Sequence, residues 1–133
     1  DEDDIDAAVV EIQKPTAITL SSFTANFAGG VIQVLWTTTL ELDTVGFHLY
    51  RSTSGGLNDA VRITPALIPG QGSDGGAYSF TDTRITAGVT YWYWLVETET
   101  TGTINYYGPV RATAIQGYDP EGRMGIFLPI ISR

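Results

Sequence analysis

His48 is the one histidine in this 133-residue chain, and there is no cysteine. Serine-type covalent catalysis would need that imidazole beside a nucleophile, with a carboxylate to orient it. No Gly-x-Ser-x-Gly elbow is present to offer the nucleophile. His48 instead sits inside the stretch FHLYRS, between Phe47 and Leu49, where the residue types predict a strand. A single histidine with no thiolate also cannot fill the usual zinc ligand sets. GQGSDG, residues 70–75, has the spacing of a phosphate-cradling Gly-x-Gly-x-x-Gly. That device works only between a strand and a helix N-terminus. Here Pro69 precedes it, a strand pattern follows it and Asp74 would repel an anion, so a plain loop is expected.

The carboxylates offer two further chemistries. Asp1, Asp3, Asp4 and Asp6 are dense enough to suggest calcium, which takes six to eight oxygen ligands. The glycine of an EF-hand turn is missing, and like charges this close predict a solvated segment. A glycosidase needs two carboxylates facing each other across a cleft, which a compact sandwich does not supply. Glu41 and Asp82 are expected to make structural hydrogen bonds or an ion pair with Arg51. The expectation is therefore no enzyme, no catalytic residue, no metal and no cofactor.

Composition narrows the partners. A net charge of -8 argues against nucleic acid and anionic membrane, since both require clustered Lys and Arg. No apolar run approaches the roughly 20 residues needed to span a bilayer, so no membrane insertion is expected. The sequence begins at Asp1 rather than Met, which fits a secreted product after signal removal. Abundant Thr, Gly and aromatic residues with almost no Lys fit an extracellular or cell-surface β-protein.

The elements that would position any site are strands. AITLSSFTANF alternates with an irregularity at Ser21–Ser22; VIQVLWTTT places Ile32, Val34 and Trp36 on one side. FHLYRS places Phe47 and Leu49 together, and AYSFTDT does the same with Tyr78 and Phe80. DAVRITPALIP reads as a short, proline-interrupted edge strand. VTYWYWLVETE and INYYGPVRATA form a hairpin around TTGT. With no helical period anywhere, the fold class is all-β: a seven-stranded antiparallel sandwich with extra strand-like segments at both ends. Three regions follow. Residues 1–15 are an acidic segment with a possible short strand, 16–114 the sandwich, and 115–133 an apolar tail.

The stretch VIQVLWTTTLELDTVGFHLYRS resembles bacterial extracellular fibronectin type III-like modules. Trp36, Glu41, Gly46, Phe47, Leu49 and Arg51 fit that pattern. Tyr78, Phe80 and Asp82 look like its strand E, and Ile85, Gly88 and Tyr91 like its E–F corner, where a tyrosine hydroxyl ties back to the backbone. The resemblance covers about residues 16–114. It implies a secreted binding or spacer module without catalysis, with Trp36, Tyr91 and Tyr93 in the core. FLPIISR is also similar to short C-terminal endings on surface proteins of filamentous green bacteria.

YWYWLV, residues 91–96, then poses a problem, because both faces of this strand are apolar. If Tyr91, Tyr93 and Leu95 face the core, Trp92 and Trp94 point outward. By the same alternation His48 and Tyr50 share the outer face, together with one of Tyr106 and Tyr107. Such an aromatic patch marks an interaction site. Its partner could be the apolar segment Ile126, Phe127, Leu128, Ile130 and Ile131, from this chain or a neighbouring copy. It could also be a polysaccharide stacked on the rings. The reading adopted is a self-associating structural subunit of a cell-surface filament or layer, a homo-oligomer or homo-polymer, with a carbohydrate-binding or adhesion module as the alternative.

Overall fold

The computed structural model describes residues 17–115. They form eight strands: β1 (Ile18–Ala28), β2 (Val31–Glu41), β3 (Thr44–Ser52), β4 (Val61–Arg62), β5 (Ile68–Pro69), β6 (Gly76–Asp82), β7 (Thr90–Glu99) and β8 (Ile104–Thr113). Two antiparallel sheets result, β1-β2-β6 and β4-β3-β7-β8, with β5 also paired to β3. The expected strand count was seven. The additional one arises because the expected edge strand is split into β4 and β5. Pro65 lies between them and has no N–H to give to a ladder, so bonding to β3 runs as far as the Ile63 amide on the Leu49 carbonyl, breaks, and resumes at Ile68. The strand-like segments expected before residue 16 and after residue 115 lie outside the described residues.

Alternation decides what each strand buries. Ile32, Val34 and Trp36 of β2 are fully buried and face Phe47 and Leu49 of β3 and Tyr93 and Leu95 of β7 across the sandwich. Trp36 stacks on Tyr78 at 5.3 Å between ring centres, and Phe47 meets both rings edge-on. Such aromatic geometry adds to the area term. On β1 the inward set is Ile18 and Leu20, then Phe23, Ala25 and Phe27. The phase change falls at Ser21–Ser22, where the register slips and both serine hydroxyls reach the Thr37 Oγ1 atom, at 2.5 and 2.7 Å. A bulge keeps both halves of a bent edge strand facing one core.

Three buried carboxylates hold the rim of that core. Asp82 receives the Tyr93 hydroxyl (2.7 Å), the Arg84 amide (3.2 Å) and the Arg51 guanidinium (2.8 Å). Glu41 receives the Tyr78 hydroxyl, the Thr38 hydroxyl (2.7 Å) and the Gln71 amide (2.9 Å). Glu97, wholly buried, receives the Thr44 hydroxyl and the Asn105 amide, each at 2.7 Å. Burial, with the hydrogen bonds to Glu41 and Asp82, pushes the Tyr78 and Tyr93 phenols well above their usual range. At the corner before β7 the Thr86 amide donates to the Tyr91 hydroxyl at 2.7 Å. Among the described residues, Trp36 Nε1 is buried with no hydrogen-bond partner.

The β7–β8 register slips between Tyr93 and Leu95, opposite Gly108. Gly108 has φ +113, and a Cβ there would sit 2.9 Å from the Tyr93 carbonyl and 3.0 Å from the Phe23 ring. Gly102 has a similar φ of +92 but open space around it. Replacing Gly102 by Ala should therefore cost only the backbone term, about 1 kcal/mol. Gly108→Ala adds a clash and should cost about 2–4 kcal/mol. Urea unfolding of the two variants measures the difference; equal losses would contradict the close approach.

Candidate functional site

Two surfaces combine reactive or adhesive side chains. The first is the outer face of the larger sheet. Trp92, Trp94 and Val96 alternate with the core residues of β7 and point away from them. Across the ladder Trp94 stands opposite Tyr50 and Val96 opposite His48, both on β3; Val96 also faces Tyr106 and Trp92 faces Arg111, both on β8. Tyr50, His48 and Trp92 are half-buried, and Tyr106 is 56% exposed. Trp94 and Val96 are each only 5% exposed although they lie outside the core cluster. The outward-facing indole of Trp94 is therefore covered. Of the two tyrosines, one of which was expected on this face, Tyr107 does not join it. It pairs with Leu95, packs against the core and leaves the outer position to its neighbour Tyr106, as strand alternation requires. Burial and the nearby Glu97 and Glu99 carboxylates push its phenol up to about 12. The expected docking residues Ile126, Phe127, Leu128, Ile130 and Ile131 lie outside the described residues.

His48 is a packing residue. Its Nδ1 lies 2.6 Å from the buried Thr64 hydroxyl, whose oxygen also accepts the Leu49 amide at 3.3 Å. With that oxygen engaged as an acceptor, the hydroxyl proton is free to point at a neutral Nδ1. Desolvation, then the Arg62 charge, lowers the His48 pKa below 6.5. Among the described residues no serine hydrogen-bonds His48, and no group of three His, Cys, Asp or Glu side chains could hold a metal ion. No helix of the described residues is long and apolar enough to cross a membrane.

The second surface is a cavity of about 540 Å3 between the edge strands β4 and β6. Val61, Ile63, Pro65 and Phe80 give it apolar walls; Arg51, Arg62 and Arg84 bring positive charge. Arg51 is bound to Asp82 and the Arg84 carbonyl, and its guanidinium lies 4.7 Å from the Tyr91 ring centre. Arg62 and Arg84 have exposed side chains and make no ion pair among the described residues. The sequence reading linked Arg51 to Asp82 but missed the cleft. A signal was present: residues 17–115 contain four arginines and no lysine, and three of the four converge here.

No protein-family model matches the chain, and no curated protein matches it. Solved structures do. An Fn3-like protein from Clostridium thermocellum superposes with a TM-score of 0.51 at 18% identity, over 72% of this chain and 92% of that one. The fold is fibronectin III-like. Pectate lyase PelI from Erwinia chrysanthemi, in complex with tetragalacturonic acid, gives a TM-score of 0.58 at 21% identity over 73% of this chain. A β-1,2-glucanase from Parabacteroides distasonis gives 0.51 at 18% identity over 77% of it. The alignment spans only 28% of the pectate lyase chain and 13% of the glucanase chain.

The lowered His48 pKa has a definite sign in stability. Between the folded-state pKa and the unfolded value near 6.5 the folded chain binds fewer protons, so stability rises with pH through that window. The contribution is complete above 6.5 and is lost as pH falls through the folded pKa. Thermal midpoints from pH 7.5 down to 5 should fall more for the unaltered chain than for His48→Gln. Parallel curves would remove the protonation penalty at this position.

Proposed function

We propose that the protein is a non-enzymatic, extracellular structural module that associates with copies of itself, and that a terminal segment seats on the outer face around Trp94. The observation carrying this reading is the 5% exposure of an indole that faces away from the core. A tryptophan standing out from the middle of a sheet keeps one flank in water unless something lies across it. The chain has a segment of the right chemistry in IFLPII, residues 126–131, six uncharged apolar or proline residues. Apolar area removed from water there contributes about 25 cal/mol per Å2. Seated on its own sandwich, the segment closes one module. Exchanged with a neighbour, it joins two modules, and a non-closing repeat of that exchange builds a filament. Composition supports the extracellular assignment.

A second reading has a specific observation behind it. Two of the structures sharing this fold are named as enzymes acting on polysaccharides, and the pectate lyase holds tetragalacturonic acid. On that reading the module is a carbohydrate-binding accessory, with Tyr106 and Trp92 as the accessible stacking rings.

Removing residues 124–133 separates the two. The intact chain should show multi-module mass by light scattering. In 500 mM NaCl, where charge pairing between copies is screened, the shortened chain should run as a monomer, with red-shifted tryptophan emission and stronger acrylamide quenching. An unchanged mass distribution with Trp94 still protected would overturn the structural reading. The alternative predicts polysaccharide retention that Trp92→Ala lowers at least several-fold, and a glycan array without hits rules it out.

A further inference from the structure

We propose that the arginine-lined cleft between β4 and β6 receives the acidic run Asp1–Asp6 of a second copy, making a head-to-tail electrostatic contact. It rests on the self-association reading in one respect only, that copies meet.

The first argument is charge. The protein carries -8 overall, and five of its first six residues are Asp or Glu. Against that background three of the four basic residues of the sandwich line one cavity, and Asp82 is the only carboxylate among its lining residues. Arg51 neutralises Asp82 at 2.8 Å, which leaves Arg62 and Arg84 uncompensated. Guanidinium groups present forked donors that suit carboxylates. A cleft with low-dielectric walls concentrates their field, and Val61, Ile63, Pro65 and Phe80 supply such walls.

The second argument is geometry. The cleft flanks both edge strands, so a segment lying in it meets their unpaired backbone groups, and it lies at the Asp82–Arg51 end of the sandwich. The chain enters β1 at the other end. Ile18 pairs with Glu41 and the Ala17 carbonyl accepts the Leu42 amide, whereas Asp82 pairs with Ile32. From Ile32 to Glu41 along β2 is about 30 Å at roughly 3.3 Å per residue. To reach its own cleft, the acidic run would have to double back with residues 7–16 almost fully extended. A second copy stacked end to end presents its run at the cleft without that constraint. Such a contact does not close on itself and propagates linearly. Exposed charge pairs are screened beyond about 8 Å at physiological salt, so the contact should be salt-sensitive.

The test uses the full chain and a labelled peptide of residues 1–12, DEDDIDAAVVEI. The peptide should bind, excess peptide should dissolve concentration-dependent dimers seen by sedimentation, and 500 mM NaCl should weaken binding at least tenfold against 50 mM. The double variant R62E/R84E should lose binding by at least tenfold. Arg111→Glu, an exposed charge away from the cleft, should stay within twofold and reports on folding and general electrostatics. Absent peptide binding, or equal binding by R62E/R84E, overturns the proposal. So does a chain monomeric at every concentration, since the contact requires a second copy. An oligouronate or a scrambled acidic peptide that binds as tightly as the native peptide would make the cleft a general anion site, and the proposal would fall. Loss of residues 124–133 should leave peptide binding unchanged, so failure of the terminal-lid reading and failure of this one are distinguishable.

Discussion

The buried carboxylate of Asp82 ties this sandwich together. It sits on an edge strand of the smaller sheet and takes hydrogen bonds from Tyr93 and Arg51, both on the larger one. Each of the three groups would be expensive to bury alone, because a charge or phenol without a partner loses its hydration and gains nothing in return. Together they are satisfied, and the two layers are fixed in register at that end. At the opposite end Glu41 works within the smaller sheet, drawing the Tyr78 hydroxyl and the backbone of the loop residue Gln71 to the end of β2. The stacked and edge-on rings of Trp36, Phe47 and Tyr78 fill the space between these clamps.

Much of this was legible because strand alternation is a strict period of two. Phe47, Leu49, Tyr91, Tyr93 and Leu95 fall inward on spacing alone, and the acidic residues near the ends of β2 and β6 are natural partners for Arg51 and the tyrosines. The break at Ser21–Ser22 was visible as two polar residues interrupting the alternation. What was hidden depends on neighbours distant in sequence. Thr64 becomes buried only because the loop between β4 and β5 folds over His48. Glu97 continues the inward period of β7, yet only Thr44 and Asn105 make its burial tolerable. Tyr106 and Tyr107 are equivalent in sequence until the slip opposite Gly108 fixes their phase. The covering of Trp94 had its only signal far away in the sequence, in the apolar run at residues 126–131.

The candidate sites divide the same way. The outer aromatic face follows from one strand and its pairing partners, so its membership could be read in advance apart from one tyrosine. The arginine cleft is assembled from β3, β4 and the end of β6, which come together only after two sheets have packed. Its clearest trace in the sequence is scarcity: in a strongly acidic chain, so few basic residues gathered at one place stand out once the fold is known. Among the described residues neither surface sets an exposed nucleophile beside a base.

The direction in which the chain crosses the sandwich has a mechanical consequence. It enters at the Glu41 end and leaves β8 at the far end, where Ala114 is bonded to Val89 and Gly88. A pull applied through residues 17 and 115 therefore runs parallel to the strands. The ladders of β1 with β2 and of β7 with β8 would be loaded in shear, many bonds at once, and not unzipped one by one. A string of such domains could carry tension along its length while each domain stayed folded.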